Sequence, residues 1–145
     1  MLFTKRRPEK TQIVEPPKPV VLIYTDYSLK QLKNLDQTRR LISTIGIIRG
    51  VTGSGIDPDK DFYYTYGYLQ DENTFVEFRI ITNYNTRHRE LSAIRTASES
   101  GLPIKVEGEF PNPYHEAIRA RNREIYIHTL QLGDNKIYFN NLAAK

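Results

Sequence analysis

Residues 61–82 read DFYYTYGYLQDENTFVEFRIIT, and no other stretch of this 145-residue chain restricts its fold as strongly. Asp61 to Gln70 is dense in aromatic and β-branched side chains, which suit a pleated surface better than a helix. Asp71-Glu72-Asn73 then supplies turn chemistry, and Thr74 to Thr82 resumes the same pattern. Two such runs joined by a short polar turn predict a β-hairpin.

The flanking segments supply the partners that a hairpin needs. Leu41 to Thr52 is a β-branched run, read as a strand that ends in a Gly53-Ser54-Gly55 loop. Thr86 to Ser100 changes period: Leu91, Ile94 and Ala97 recur at helical spacing, with Thr86 as N-cap, Gly101 at the C-terminal cap and Pro103 barring continuation. Pro103 to Phe110 alternates apolar and charged residues over one strand, 111–123 is a polar loop, and Glu124 to Leu132 is a further strand. Gly133-Asp134-Asn135 turns into a short last run, Lys136 to Phe139. Upstream, Val20 to Thr25 reads as a strand, and residues 28–40 as a short amphipathic helix with Ser28 as N-cap and Leu29, Leu32 and Leu35 on one side. Apolar residues make up 39% of the chain and charged residues 26%, a balance that supports a packed core rather than disorder. The expected organisation is a flexible basic, proline-containing arm (1–18), a strand–helix extension (19–40), one barrel domain (41–140) and a short tail (141–145).

The order strand, strand, strand, helix, strand, strand matches a five-stranded Greek-key barrel. The hairpin YLQDENTFVEF resembles the second and third strands of the OB-fold (oligonucleotide/oligosaccharide-binding) superfamily, and LPIKVEGEF resembles its fourth. The expected fold class is therefore mainly β: an OB-type barrel with a helix between strands three and four, plus the N-terminal extension. Another small mixed barrel or an α+β sheet is the competing reading. The resemblance implies a single-strand-binding-like protein whose ligand lies on the outer face of the hairpin and the loops beside it.

Alternate strand residues face opposite sides. Phe62, Tyr64, Tyr66 and Tyr68 share one side of the second barrel strand, and Tyr63, Thr65, Gly67 and Leu69 the other. Four large rings in a row would overfill one wall of a narrow barrel, so the second set is assigned to the interior. On the third strand Val76, Phe78 and Ile80 face inward, leaving Phe75, Glu77, Arg79 and Ile81 outward. Tyr64, Tyr66, Tyr68, Phe75 and Arg79 thus gather on the outer face, where rings can stack on bases and arginine can meet phosphate. Arg49 on the first strand shares its side with Ile45 and Ile47, which favours some covering element. Tyr114, Arg119, Arg121 and Arg123, in the loop before the last barrel strand, complete the candidate nucleic-acid-binding set as a phosphate-tracking rim.

The same tyrosine stripe equally suits burial beneath residues 20–40 or an oligomer interface. Lys and Arg outnumber Asp and Glu by 21 to 17, too small an excess to decide the partner by charge alone. The chain has no cysteine, which removes disulfides and thiolate chemistry. Asp57, Asp59 and Asp61 read as a solvated turn, and His88, His115 and His128 lack metal-ligand spacing, with His128 expected on the surface. No catalytic motif emerges. The expectation is a non-enzymatic, cytoplasmic binder of single-stranded DNA or RNA, without metal, cofactor or membrane. The alternative is an OB-type protein–protein adaptor or oligomerising subunit that acts through residues 20–40.

Overall fold

In the computed structural model, which describes residues 21–57, 62–83, 87–113 and 123–139, the hairpin is embedded in a closed barrel. The elements are β1 (Thr25–Asp26), α1 (Leu29–Lys33), β2 (Arg40–Asp57), β3 (Phe62–Asp71), β4 (Thr74–Asn83), α2 (Arg87–Ser100), β5 (Pro103–Phe110), β6 (Glu124–Leu132) and β7 (Asn135–Tyr138). Strands β2, β3, β4, β6 and β5 are neighbours in that order, and β5 pairs back onto β2, which closes five strands into a barrel. β4 and β6 run parallel, and the other barrel pairs are antiparallel. β1 adds in parallel to β2 and β7 adds antiparallel to β6. The fold is mainly β, and this closed barrel is compatible with an OB-like fold.

The expected hairpin forms, paired from Asp71↔Thr74 to Phe62↔Asn83, so that Asp71 joins the ladder instead of the turn. Glu72 takes a left-handed φ of 54° at the turn. Thr65, Gly67, Leu69, Val76, Phe78 and Ile80 are buried, so the inward parity assigned from side-chain size holds. Gly67 is required there. A Cβ would stand 2.6 Å from Cζ of Phe78 and 2.9 Å from the Arg49 carbonyl, so its absence lets the phenyl ring fill the barrel. Ile81 leaves the sheet on the outer side, opposite Tyr64 and outside the main core cluster, yet it is covered there and only 1% exposed. Parity decides which way a side chain leaves the sheet, not what lies over it.

The first barrel strand is longer than its sequence suggests. β2 runs through the expected Gly53-Ser54-Gly55 loop to Asp57, with register shifts between Arg49 and Thr52 and between Ser54 and Ile56. Glycines that read as a loop are absorbed as bulges, which bend a strand without ending it. This length lets β2 pair with β5 through its first half and with β3 through its second. Expected outward on this strand, Ile45 is 55% exposed, so no described residue encloses it.

The extension is more helix than strand. Of the strand expected over 20–25, Val20 lies outside the described residues, 21–24 do not pair, and Thr25 joins the ladder together with Asp26. α1 begins at a capping box: the Ser28 hydroxyl accepts from the Gln31 N–H, and the Gln31 side chain accepts from the Ser28 N–H. It stops at Lys33, short of the expected span. Asp36 Oδ1 accepts from the Thr38 N–H at 3.0 Å and from Arg40 at 2.6 Å, a local turn that competes with helix. Leu29 and Leu32 are fully buried in the barrel core beside Ile42, Ile48 and Phe78. α2 carries Ile94 and Ala97 into the same core and ends at Gly101, whose φ of +66° suits the expected C-terminal cap. Thr86, its expected N-cap, lies outside the described residues.

Candidate functional site

On the outer face of the hairpin the ladder sets Phe75 against Gln70, Glu77 against Tyr68 and Arg79 against Tyr66, while Arg49 of β2 pairs with Tyr68. Tyr64, Tyr66, Tyr68, Phe75, Arg79 and Arg49 therefore share one surface. The geometry divides them into two groups with different capacities.

Tyr64 and Tyr66 stack with ring centroids 6.4 Å apart and planes at 21°. The Arg79 guanidinium lies 4.3 Å from the centroid of Tyr66 and 5.0 Å from that of Tyr64. Its Nε donates to Glu124 Oε1 at 3.0 Å, and the same oxygen accepts from Asn112 Nδ2 at 2.8 Å. Arg79 and Glu124 are 13% and 7% exposed, so the arginine charge is balanced inside the protein. Its planar guanidinium is used to seat two tyrosine rings, an arrangement that stacking and charge-assisted hydrogen bonding both favour.

Tyr68 and Phe75 differ. They meet edge to face, with centroids 6.4 Å apart and planes at 86°. They remain 42% and 45% exposed. Gly50, at φ +61°, provides the floor beneath Tyr68: a Cβ there would come within 3.1 Å of the ring. Arg49 Nε donates to Gln70 Oε1 at 2.9 Å, and Gln70 Nε2 donates to the Glu72 carbonyl at 2.9 Å, which steadies Arg49 beside Tyr68. Two grooves flank Tyr68. One, of ≈ 400 Å³, is bordered by Lys33, Phe75, Glu77, Phe110 and Arg123. The other, of ≈ 340 Å³, is bordered by Gly50, Thr52, Tyr66, Arg79 and Glu124. The described part of the extension, from residue 21 on, does not close over Tyr68 and Phe75, because its leucines enter the core instead.

Of the loop residues, Tyr114, Arg119 and Arg121 lie outside the described residues. Arg123 is turned toward the protein. One guanidinium nitrogen donates to the Leu32 carbonyl at 3.1 Å and to the Leu35 carbonyl, and its Cζ lies 5.4 Å from the Phe110 ring centroid. It ties the end of α1 to the barrel. Glu77 stands outward beside Tyr68 as strand alternation requires, whereas Lys33, Phe110, Glu124 and Asn112 were not among the residues expected at this face. Their local sequence carries no sign of it, since each arrives from a different element.

A second polar cluster lies on the outer side of β5 and β6. The expected surface position of His128 is corrected: it is 5% exposed, beneath Tyr24 and against Tyr126. β6 slips register against β5 near this point, and Tyr24, just ahead of β1, packs over the ring. Burial pushes the His128 pKa down to about 4, against the opposing influence of Glu107. Burial and the nearby Glu107 and Glu109 push Tyr24 up to about 12. The Tyr24 hydroxyl and His128 Nδ1 share a hydrogen bond of 2.9 Å, whose direction follows the tautomer of the imidazole. Among the described residues, no three His, Asp or Glu side chains gather as a metal site, and no helix is long and apolar enough to cross a membrane. Comparison with protein-family models, curated proteins and solved structures finds no match to this chain.

Proposed function

We propose that this chain is an OB-type barrel that binds single-stranded nucleic acid, without catalysis, through the outer face of β3 and β4. One observation carries the reading: Tyr68 and Phe75 present exposed rings between two grooves, on a rigid hairpin, with Arg49 alongside. Unpaired bases offer faces to stack on such rings, and the stacking is tolerant of sequence. Tyr64, Tyr66 and Arg79 act in this reading as the seated floor of the face.

The chain has no tryptophan, so quenching of tyrosine fluorescence reads binding directly. Titration of thymidylate or uridylate oligomers of about fifteen nucleotides, a length that covers one barrel, should quench it in a salt-dependent way. Tyr68→Ala and Phe75→Ala should each weaken binding by roughly 5- to 150-fold, the equivalent of about 1–3 kcal/mol per stacked base. Both side chains are half in solvent, so the melting temperature should hardly change. No binding at low salt, or parent-like binding by both variants, would defeat the proposal.

A second reading is favoured by Val21 and Ile23, which are 81% and 79% exposed just before β1. In it, this edge docks onto a protein partner or a second copy. Light scattering should then give a mass that rises with concentration and reverts to monomer in Val21→Asp/Ile23→Asp. A concentration-independent monomer removes the self-association form of this reading.

A further inference from the structure

Resting on the nucleic-acid reading, we infer that α1 is a wall of the binding site: one nucleotide sits between α1 and the Tyr68–Phe75 pair, with Lys33 on its phosphate and Glu77 on the amino edge of its base. The groove at that place holds ≈ 400 Å³, near the lower limit of the roughly 300–1,000 Å³ of small-ligand pockets. That is room for a single nucleotide unit. Its walls combine Tyr68, Phe75 and Phe110 with Lys33, Glu77 and Arg123 at the edges. An apolar, aromatic interior with charges at the rim suits a base inside and its phosphate outside.

The cations of this face are not equivalent. Arg79 is committed to Glu124 and the tyrosine rings, and Arg123 to the α1 carbonyls. Among the described residues, Lys33 makes no ion pair and the side-chain partner of Arg49 is the neutral Gln70. These two therefore bracket Tyr68 with charge available to a phosphate. The position of Lys33 is built rather than incidental. Leu29 and Leu32 anchor α1 in the core, Arg123 holds its final carbonyls, and Asn34 Nδ2 donates to the Lys30 carbonyl at 3.1 Å. Glu77 would repel a phosphate, but it accepts hydrogen bonds from an exocyclic amine, as carboxylates do from cytosine N4. The groove accordingly prefers cytosine to thymine.

The test is anisotropy with labelled deoxycytidylate and thymidylate oligomers on the full chain, across a salt series. The parent should bind the cytosine oligomer more tightly, and Glu77→Ala should erase the preference. Lys33→Ala should lower affinity about fivefold near 0.1 M salt and flatten the salt slope by about 0.7, as loss of one phosphate contact requires. Lys105→Ala removes the same charge beside a separate depression formed with Asp26 and Tyr27, and should bind as the parent does. Equal affinity for the two oligomers in the parent, a preference that survives Glu77→Ala, or parent-like binding by Lys33→Ala overturns the inference. If Tyr68→Ala still weakens binding in that case, the broader reading stands. If the parent binds neither oligomer, both fall together.

Discussion

Gly108 shows how a single hydrogen atom can hold two strands together. A Cβ at this position would lie 2.1 Å from the Tyr126 carbonyl oxygen and 3.0 Å from Cα of Ile127. Those are backbone atoms of β6, so relief requires the β5–β6 pairing itself to move. Gly108→Ala should cost about 3 kcal/mol or more, toward the severe end of overpacking. Gly101→Ala, where φ is +66° and nothing lies within 4 Å, should cost only about 1–2 kcal/mol. Urea midpoints at constant slope would separate the two. His128 is the corresponding case for charge. Its folded-state pKa, about 4, lies below the ordinary 6.5, so the neutral ring stabilises the fold above pH 6.5. That contribution is lost as the pH falls from 6.5 toward 4. The loss is at most about 3 kcal/mol, and it is partly offset by Glu109, whose carboxyl burial pushes up and whose protonation relieves the fold. His128→Gln keeps a hydrogen-bonding partner for Tyr24 and should flatten melting temperature against pH in this window. A parent and variant with identical acid profiles would contradict the buried neutral imidazole.

Among the elements, α1 carries the most consequence for its length. Five residues would not persist as a helix in water. Burial of Leu29 and Leu32, the Ser28–Gln31 box and Arg123 at the far end sustain it together. Leu32→Ala should cost about 2–5 kcal/mol, as buried leucine truncations do, and should loosen Lys33 against the groove. Denaturation and oligonucleotide titration of the same variant check both effects. The start of this helix was legible, because an N-cap serine followed by leucines three apart is a local pattern. Its end was not. The Asp36–Thr38 hydrogen bond competes with helix through a side chain, and the restraint from Arg123 comes from about ninety residues downstream. β2 repeats the lesson: its glycines advertise a loop, and β3 keeps that stretch paired.

For the whole molecule, the extension belongs to the barrel rather than being appended to it. Leu29 lies beside Gly46 and Leu69, and both α1 leucines are in the same core cluster as Ile125 and Ile127. A chain shortened to residues 41–145 would leave that end of the core open to water. It should melt well below the parent and lose oligonucleotide binding at the same time, measurable by circular dichroism and anisotropy. Parent-like melting would show that α1 contributes nothing to the core.

By itself, the sequence determined what is periodic or local. Alternation in β3 and β4 put Thr65, Gly67, Leu69, Val76, Phe78 and Ile80 inside and Tyr68 and Phe75 outside, because the pleat leaves only two directions. Turn and cap residues placed the hairpin turn and the end of α2. Only the tertiary structure decided what stands opposite each outward side chain. It buried Ile81 and His128, balanced Arg79 with Glu124, turned Arg123 onto α1, and brought Lys33 to the rim beside Tyr68. Each of these outcomes joins residues from separate elements, and burial and charge balance are set by such neighbours, which no local pattern encodes.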